Sequence, residues 1–131
     1  MVGEATGANR AILVGFDFGQ SGFSESLEEL RLLTLSAGIV PVAQVTGKRA
    51  RPDPALYAGK GKVEEIRQST RQAGANLVVF NHPLSPAQER NLNLALGARV
   101  VDRTALILDI FSQRAKSRAG KLQVELAQLA H

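Results

Sequence analysis

The chain contains no cysteine, no tryptophan and two histidines, and only 5% of its 131 residues are aromatic. Without cysteine it has no disulfide framework, no thiolate-bound zinc or iron–sulfur cluster and no thiol nucleophile, and the composition fits a reducing compartment. His82 and His131 are too far apart in sequence for the H-x-x-x-H spacing of a helical metal site. The scarcity of aromatics and the lack of an RNP-type pattern argue against a stacking platform for single-stranded nucleic acid. Long apolar runs are missing as well. Each is broken by Gly, Asp or Arg well short of the roughly 20 residues a bilayer-spanning helix requires. Residues 1–10, opening MVGEATGAN, have neither the basic start nor the apolar stretch of a signal peptide, so they read as a flexible leader and the expected location is cytoplasmic.

With 44% hydrophobic residues the chain can build one packed core, and it is too short for two ordinary domains. The formal charge is +4, but its placement is uneven. Residues 47–62 carry a net +4 through Lys48, Arg49, Arg51, Lys60 and Lys62 against Asp53. Residues 99–121 carry another +4, with Arg114, Lys116, Arg118 and Lys121 close together, which leaves −4 on the remainder. Segregation of this kind points to a polyanionic partner.

Apolar, β-rich runs alternate with helix-period stretches, the pattern of successive βα units around a parallel sheet. The strand candidates are residues 11–16, 39–46, 77–80 and 99–102. Pro41 argues that the second lies at an edge, because proline has no ladder N–H. Helices are predicted over 24–37, 61–73, 85–96 and 104–115. Ser26 with Glu29 is a candidate capping box for the first, and Ser85-Pro86-Ala87-Gln88 specifies the start of the third. Leu122, Leu126 and Leu129 fall on one stripe of a further helical pattern. The predicted fold is α/β: a four-stranded parallel sheet flanked by helices, strand order 2-1-3-4, spanning residues 11–117. Residues 118–131 would begin a C-terminal coiled-coil helix.

In such sheets ligands sit beyond the carboxyl ends of the strands, which singles out Asp17, Asn81, His82, Asp102 and Arg103. Asp17 and Asp102 could form an acid pair, or anchor a loop and cap a helix. Gly59-Lys60-Gly61-Lys62 lacks the spacing of a G-x-x-x-x-G-K-[ST] loop. At a helix N-terminus, its backbone N–H groups and lysines would still suit an anion, the alternative being a turn. Arg114, Lys116, Arg118 and Lys121 read either as a solvated face or as contacts to an RNA backbone.

Four ordered stretches carry a family resemblance: Ser26-Leu27-Glu28-Glu29-Leu30; Arg51 to Glu65, RPDPALYAGKGKVEE; Leu84 to Leu92, LSPAQERNL; and Val101 to Phe111, VDRTALILDIF, with its continuation through Gln113-Arg114-Ala115 to Leu129. Together they resemble the N-terminal domain of HflX-type GTPases, ribosome-associated GTP-binding proteins. The resemblance implies a parent with an α/β subdomain, a two-helix coiled coil and a GTP-binding domain that these residues do not include. It implies GTP and Mg2+ for that parent, with ATP possible at the N-terminal domain. This chain would be no enzyme by itself. The implied partners are the large (50S) ribosomal subunit through its rRNA and the parent's own GTP-binding domain, in ribosome splitting or rescue under stress. The family's Gly-x-Gly-Lys stretch maps onto Gly59, Gly61 and Lys62, and its basic junction begins at Gln113-Arg114-Ala115. The expected RNA- or anion-binding residues are therefore Lys48, Arg49, Arg51, Gly59, Lys60, Gly61, Lys62, Arg114, Lys116, Arg118 and Lys121, gathered on one surface. An ATP- or nucleotide-binding loop at Gly59–Lys62, and an interaction module that docks the parent's GTP-binding domain or pairs through the leucine stripe, are the alternatives.

Overall fold

The computed structural model describes the backbone of residues 9–129 and the side chains of residues 9–118. Residues 1–8 of the expected leader, Lys121 and the stripe of Leu122, Leu126 and Leu129 lie outside the described side chains. The order along the chain is β1 (Arg10–Asp17), α1 (Phe23–Ser36), β2 (Val40–Lys48), α2 (Lys60–Ala73), β3 (Leu77–Phe80), α3 (Pro86–Leu96), β4 (Arg99–Asp102) and α4 (Arg103–Leu129). The strands form one parallel sheet in the order β2-β1-β3-β4, as the alternation of patterns predicts. Pro41 lies on the edge strand β2, and the register with β1 slips between Ala11 and Ile12, where Val42 is left without a partner.

Alternation along the strands divides the interior into two layers. Ile12, Val14 and Phe16 of β1 pack with Val63 and Ile66 of α2 and Leu92 and Leu96 of α3. Ala11 and Leu13 pack on the other face with Leu27 and Leu30 of α1 and Leu106 and Ile110 of α4. The central strand β3 is buried at every residue, which is why Leu77-Val78-Val79-Phe80 shows no polar alternation.

The helix starts separate local from tertiary signals. Ser85 caps α3 with the complete reciprocal box to Gln88, Pro86 occupies the first turn, and Gly97 ends the helix in the left-handed region at φ 65°. In α1 the expected box does not form: Gly22 is the cap, and Ser26 and Glu29 lie inside the helix, facing other partners. The end expected near Ala115 is absent too. α4 continues to Leu129 through 27 residues, about 40 Å at helical rise. Residues 112–119 contain no proline or glycine, and Arg, Lys, Ala and Gln all favour helix, so nothing local stops it. Residues 117 and 118, the predicted subdomain boundary, are consecutive residues of this one helix.

Candidate functional site

The carboxyl ends of the strands bring Asp17, Lys48, Asn81, His82, Asp102 and Arg103 to one edge. Both aspartates accept backbone N–H groups at their own ends of the sheet. Asp17 Oδ1 accepts the Gly19 N–H at 2.8 Å. Asp102 Oδ1 accepts from Ala105 N–H, capping α4, and its Oδ2 accepts from Leu84 N–H, both at 2.9 Å. β3 lies between β1 and β4, setting the two strands roughly 10 Å apart, so they do not form an acid pair. Arg103 donates to Asn81 Oδ1 at 2.8 Å and pairs with Glu29, while Asn81 Nδ2 donates to Ser26 Oγ at 3.0 Å. These contacts tie α1, β3 and α4 together, so Ser26 and Glu29 act across the fold rather than as a cap.

The centre of this edge, at β1 and β3, is filled by aromatic rings. His82 Nε2 accepts the Phe16 N–H at 2.8 Å, and the imidazole stacks on Tyr57 with centroids 5.1 Å apart and meets Phe18 edge-on at 5.3 Å. Burial lowers the His82 pKa to about 4, so the ring is neutral at physiological pH and can accept this bond. Burial likewise raises the pKa of the Tyr57 phenol. Tyr57 has φ 65°, the sole non-glycine residue with positive φ among the described residues, a conformation that costs about 1–2 kcal/mol.

Tyr57 anchors the basic loop, which is shorter than the sequence implies because β2 runs to Lys48 and α2 starts at Lys60. Within it Asp53 and Tyr57 exchange backbone hydrogen bonds, each 2.9 Å. Asp53 Oδ1 accepts from the N–H groups of Leu56 and Ala55, which hold its pKa below the usual carboxylate value. From α3, Gln88 Nε2 donates to the Asp53 carbonyl at 2.8 Å and Asn91 Nδ2 to the Ala55 carbonyl at 3.1 Å. The loop is thus held from inside by a ring and from one side by two amides. Gln88, Asn91, Tyr57 and His82 as its supports were missed in the sequence. The available signal was the apolar run Ala55-Leu56-Tyr57-Ala58 inside a basic segment, which a loop lying wholly in solvent has no use for.

This rigid loop presents the first cationic group. Lys48, Arg51 and Lys60 are exposed and Arg49 is half-buried. Lys48 and Arg49 line a surface cleft of about 430 Å³ with Asp17, Phe18, Gly19 and Ala50. Arg49 Nε donates to the Arg51 carbonyl at 3.2 Å, and its guanidinium passes so close to Gly59 that a Cβ there would come within 3.0 Å of it. Gly59 is the N-cap of α2 and no side chain caps it, so the first N–H groups of that helix add positive potential beside Lys60 and Gly61. Lys62 differs from its neighbours: its ammonium donates to the Thr46 carbonyl at 2.8 Å and pairs with Glu65 at 2.9 Å.

The second group is elsewhere. Arg114, Lys116 and Arg118 are exposed on α4, and Arg114 donates to Ser36 Oγ, at the last residue of α1, at 3.4 Å. That is the opposite end of the strands from Lys48, and α1 and α4 cover the opposite face from α2. The expectation of a single shared surface is therefore corrected: Lys48, Arg49, Arg51 and Lys60 lie on or beside the loop at the carboxyl ends of the strands, and Arg114, Lys116 and Arg118 lie apart from them on α4. Proximity in sequence carries no information about which face of a sheet a later helix will cover.

With this geometry in hand, the chain can be set beside known proteins. Residues 24–112 match the family described as GTP-binding GTPase N-terminal. The GTPase HflX of Escherichia coli (strain K12) is 50% identical over 122 residues, covering 93% of this chain and 29% of that protein. The GTPase HflX of Alkalihalophilus pseudofirmus is 47% identical over 122 residues, covering 92% and 29%. The chain thus spans less than a third of the length of these relatives. Among solved structures, a complex of SsGBP with GDP has a TM-score of 0.64 at 25% identity, covering 94% of this chain and 35% of that one. A GTP-binding protein from the hyperthermophilic archaeon Sulfolobus solfataricus, in complex with GDP, shares the fold at a TM-score of 0.60 and 21% identity, covering 79% and 30%.

Proposed function

The chain belongs to the GTP-binding GTPase N-terminal family, and from that membership we propose that it is the rRNA-contacting and regulatory domain of an HflX-type GTPase acting on the large (50S) ribosomal subunit. The parent would use this contact in splitting or rescuing ribosomes under stress. GTP and Mg2+ would be held by residues outside these 131, which contain no G-x-x-x-x-G-K-[ST] sequence, so no step of hydrolysis is assigned to this chain. The cytoplasm is the matching location, and among the described residues no helix is long and apolar enough to cross a membrane.

The observation that carries the reading is the loop at residues 49–59, pinned by Tyr57, Gln88 and Asn91, which sets exposed Arg51 between Lys48 at the end of β2 and Lys60 at a helix start that no side chain caps. Cations held on a rigid surface lose little entropy when they meet phosphate, and each neutralised phosphate releases counterions. The test is binding of the chain to large ribosomal subunits across a salt series. Affinity should fall steeply with salt, and Lys48→Glu with Lys60→Glu should weaken it about tenfold or more while flattening the slope. Affinity indifferent to salt and to both reversals would refute the reading.

A nucleotide at Gly59–Lys62 is the weaker alternative. Lys62, the residue that would reach a phosphate, is engaged by Thr46 and Glu65. Calorimetry with ATP decides it, and micromolar binding would restore it.

A further inference from the structure

We infer that the domain holds two separate stretches of RNA backbone at once, one at each cationic surface, and so bridges two RNA segments rather than gripping one. This rests on the rRNA reading above and adds to it the number and position of the contacts. The first surface, with Lys48, Arg51 and Lys60, lies at the carboxyl ends of the strands, where α2 begins. The second, with Arg114 and Arg118 on one face of α4 and Lys116 about 200° around the helix from Arg114, lies toward the amino ends, where α1 terminates at Ser36. Arg99 joins it: it is the exposed first residue of β4 and shares the sheet face of Val101, which packs against the α1 and α4 layer.

The separation is both lengthwise and through the sheet. From Arg103, which is hydrogen-bonded to Asn81 at the carboxyl edge, to Arg114 is about 16 Å along α4. The sheet and its two helical layers lie between the surfaces, since α2 covers the face of Ile12 and Val14, and α4 that of Ala11 and Leu13. A stiff duplex lying along one surface leads away from the other. Among the described residues no carboxylate forms a salt bridge with Lys48, Arg51, Lys60, Arg114, Lys116 or Arg118, although Asp53 interacts with Arg49. The surfaces also differ in kind. The first combines side chains with the open N–H groups of a helix start, whereas the second lies along the middle of α4 and offers side chains alone.

The test titrates the 131-residue chain with a short RNA hairpin at low salt and reads stoichiometry by sedimentation. Two hairpins per chain are expected. Lys48→Glu with Lys60→Glu should leave one, Arg114→Glu with Lys116→Glu and Arg118→Glu should leave the other, and each set alone should weaken its own site about tenfold or more. In the combined variant each site should lose its own factor and no more, because distant sites act independently. Glutamine at the same positions, which removes charge without reversing it, should give the same pattern more weakly, and circular dichroism confirms folding of each variant. One hairpin per chain, or loss of all binding on changing either set, overturns the bridge while leaving the rRNA reading intact. No hairpin bound at low salt overturns both.

Discussion

The imidazole of His82 stacks on the ring of Tyr57 at 5.1 Å and 23°, joining the end of β3 to a basic loop that precedes it by a whole βα unit. Its Nε2 also accepts the Phe16 N–H, a bond only the neutral ring can receive. Unfolded, this histidine titrates near 6.5; folded, near 4. Between those values the unfolded chain binds a proton that the folded chain refuses, so stability is full above about pH 6.5 and falls as the pH drops toward 4. The loss expected is about 2 kcal/mol once the ring's partial exposure is discounted. Thermal melts at pH 7 and pH 4.5 measure it. His82→Phe should be less stable at pH 7, with the Phe16 N–H unpaired, and should lose less on acidification. An unchanged pH dependence in that variant would assign the effect to other groups.

Tyr57 should matter for its ring and not for its hydroxyl. Tyr57→Phe is expected to stay within about 0.5 kcal/mol, whereas Tyr57→Ala should cost about 3 kcal/mol by emptying the space among Phe16, Phe18 and Phe80. The alanine variant should also free the loop, so that native-state trypsin cleaves faster after Arg49. Equal cleavage rates in the two variants would show that Gln88 and Asn91 hold the loop unaided.

Much of the architecture could be read from local chemistry. Ser85-Pro86-Ala87-Gln88 needs no distant partner to start a helix, and Pro41 excludes a central strand by itself. The misreadings have one source. Ser26 and Glu29 have the spacing of a capping box, but Asn81 and Arg103 supply stronger partners from far along the chain. No residue-by-residue pattern announces that a tyrosine will adopt positive φ, because the compensation comes from rings on β1 and β3. At the site, charge counting found both basic segments and could not see that the sheet would separate them.

Besides longer bonds to Ser26, Arg103 contacts the buried Asn81 and the exposed Glu29, and these two contacts should differ in worth. Glu29→Gln is expected to cost less than about 0.5 kcal/mol, since the carboxylate is 67% exposed and water screens the pair. Arg103→Met should cost about 2 kcal/mol by leaving the Oδ1 of Asn81, which is 8% exposed, without its donor. Urea unfolding of the two variants gives the comparison, and equal losses would mean that the ion pair, not the amide, carries the contact.

Lys60 and Lys62 are near neighbours in one motif but should behave differently toward RNA. Lys60→Gln is expected to weaken binding and reduce the salt slope by about 1, as removal of one phosphate contact does. Lys62→Gln should change binding less and stability more, because its ammonium links the Thr46 carbonyl on β2 to Glu65 on α2. Parallel binding and melting measurements on the two variants check the division.

β4 ends at Asp102 and α4 begins at Arg103, so strand passes into helix with no loop between them. A hinge needs residues whose torsions can swing, and here the only candidate is a carboxylate already clamped by the N–H groups of Leu84 and Ala105. The first turn of α4 is therefore tied to the end of β4, and tilting it would require breaking the bonds from Leu84 and Ala105 or moving the strand with it.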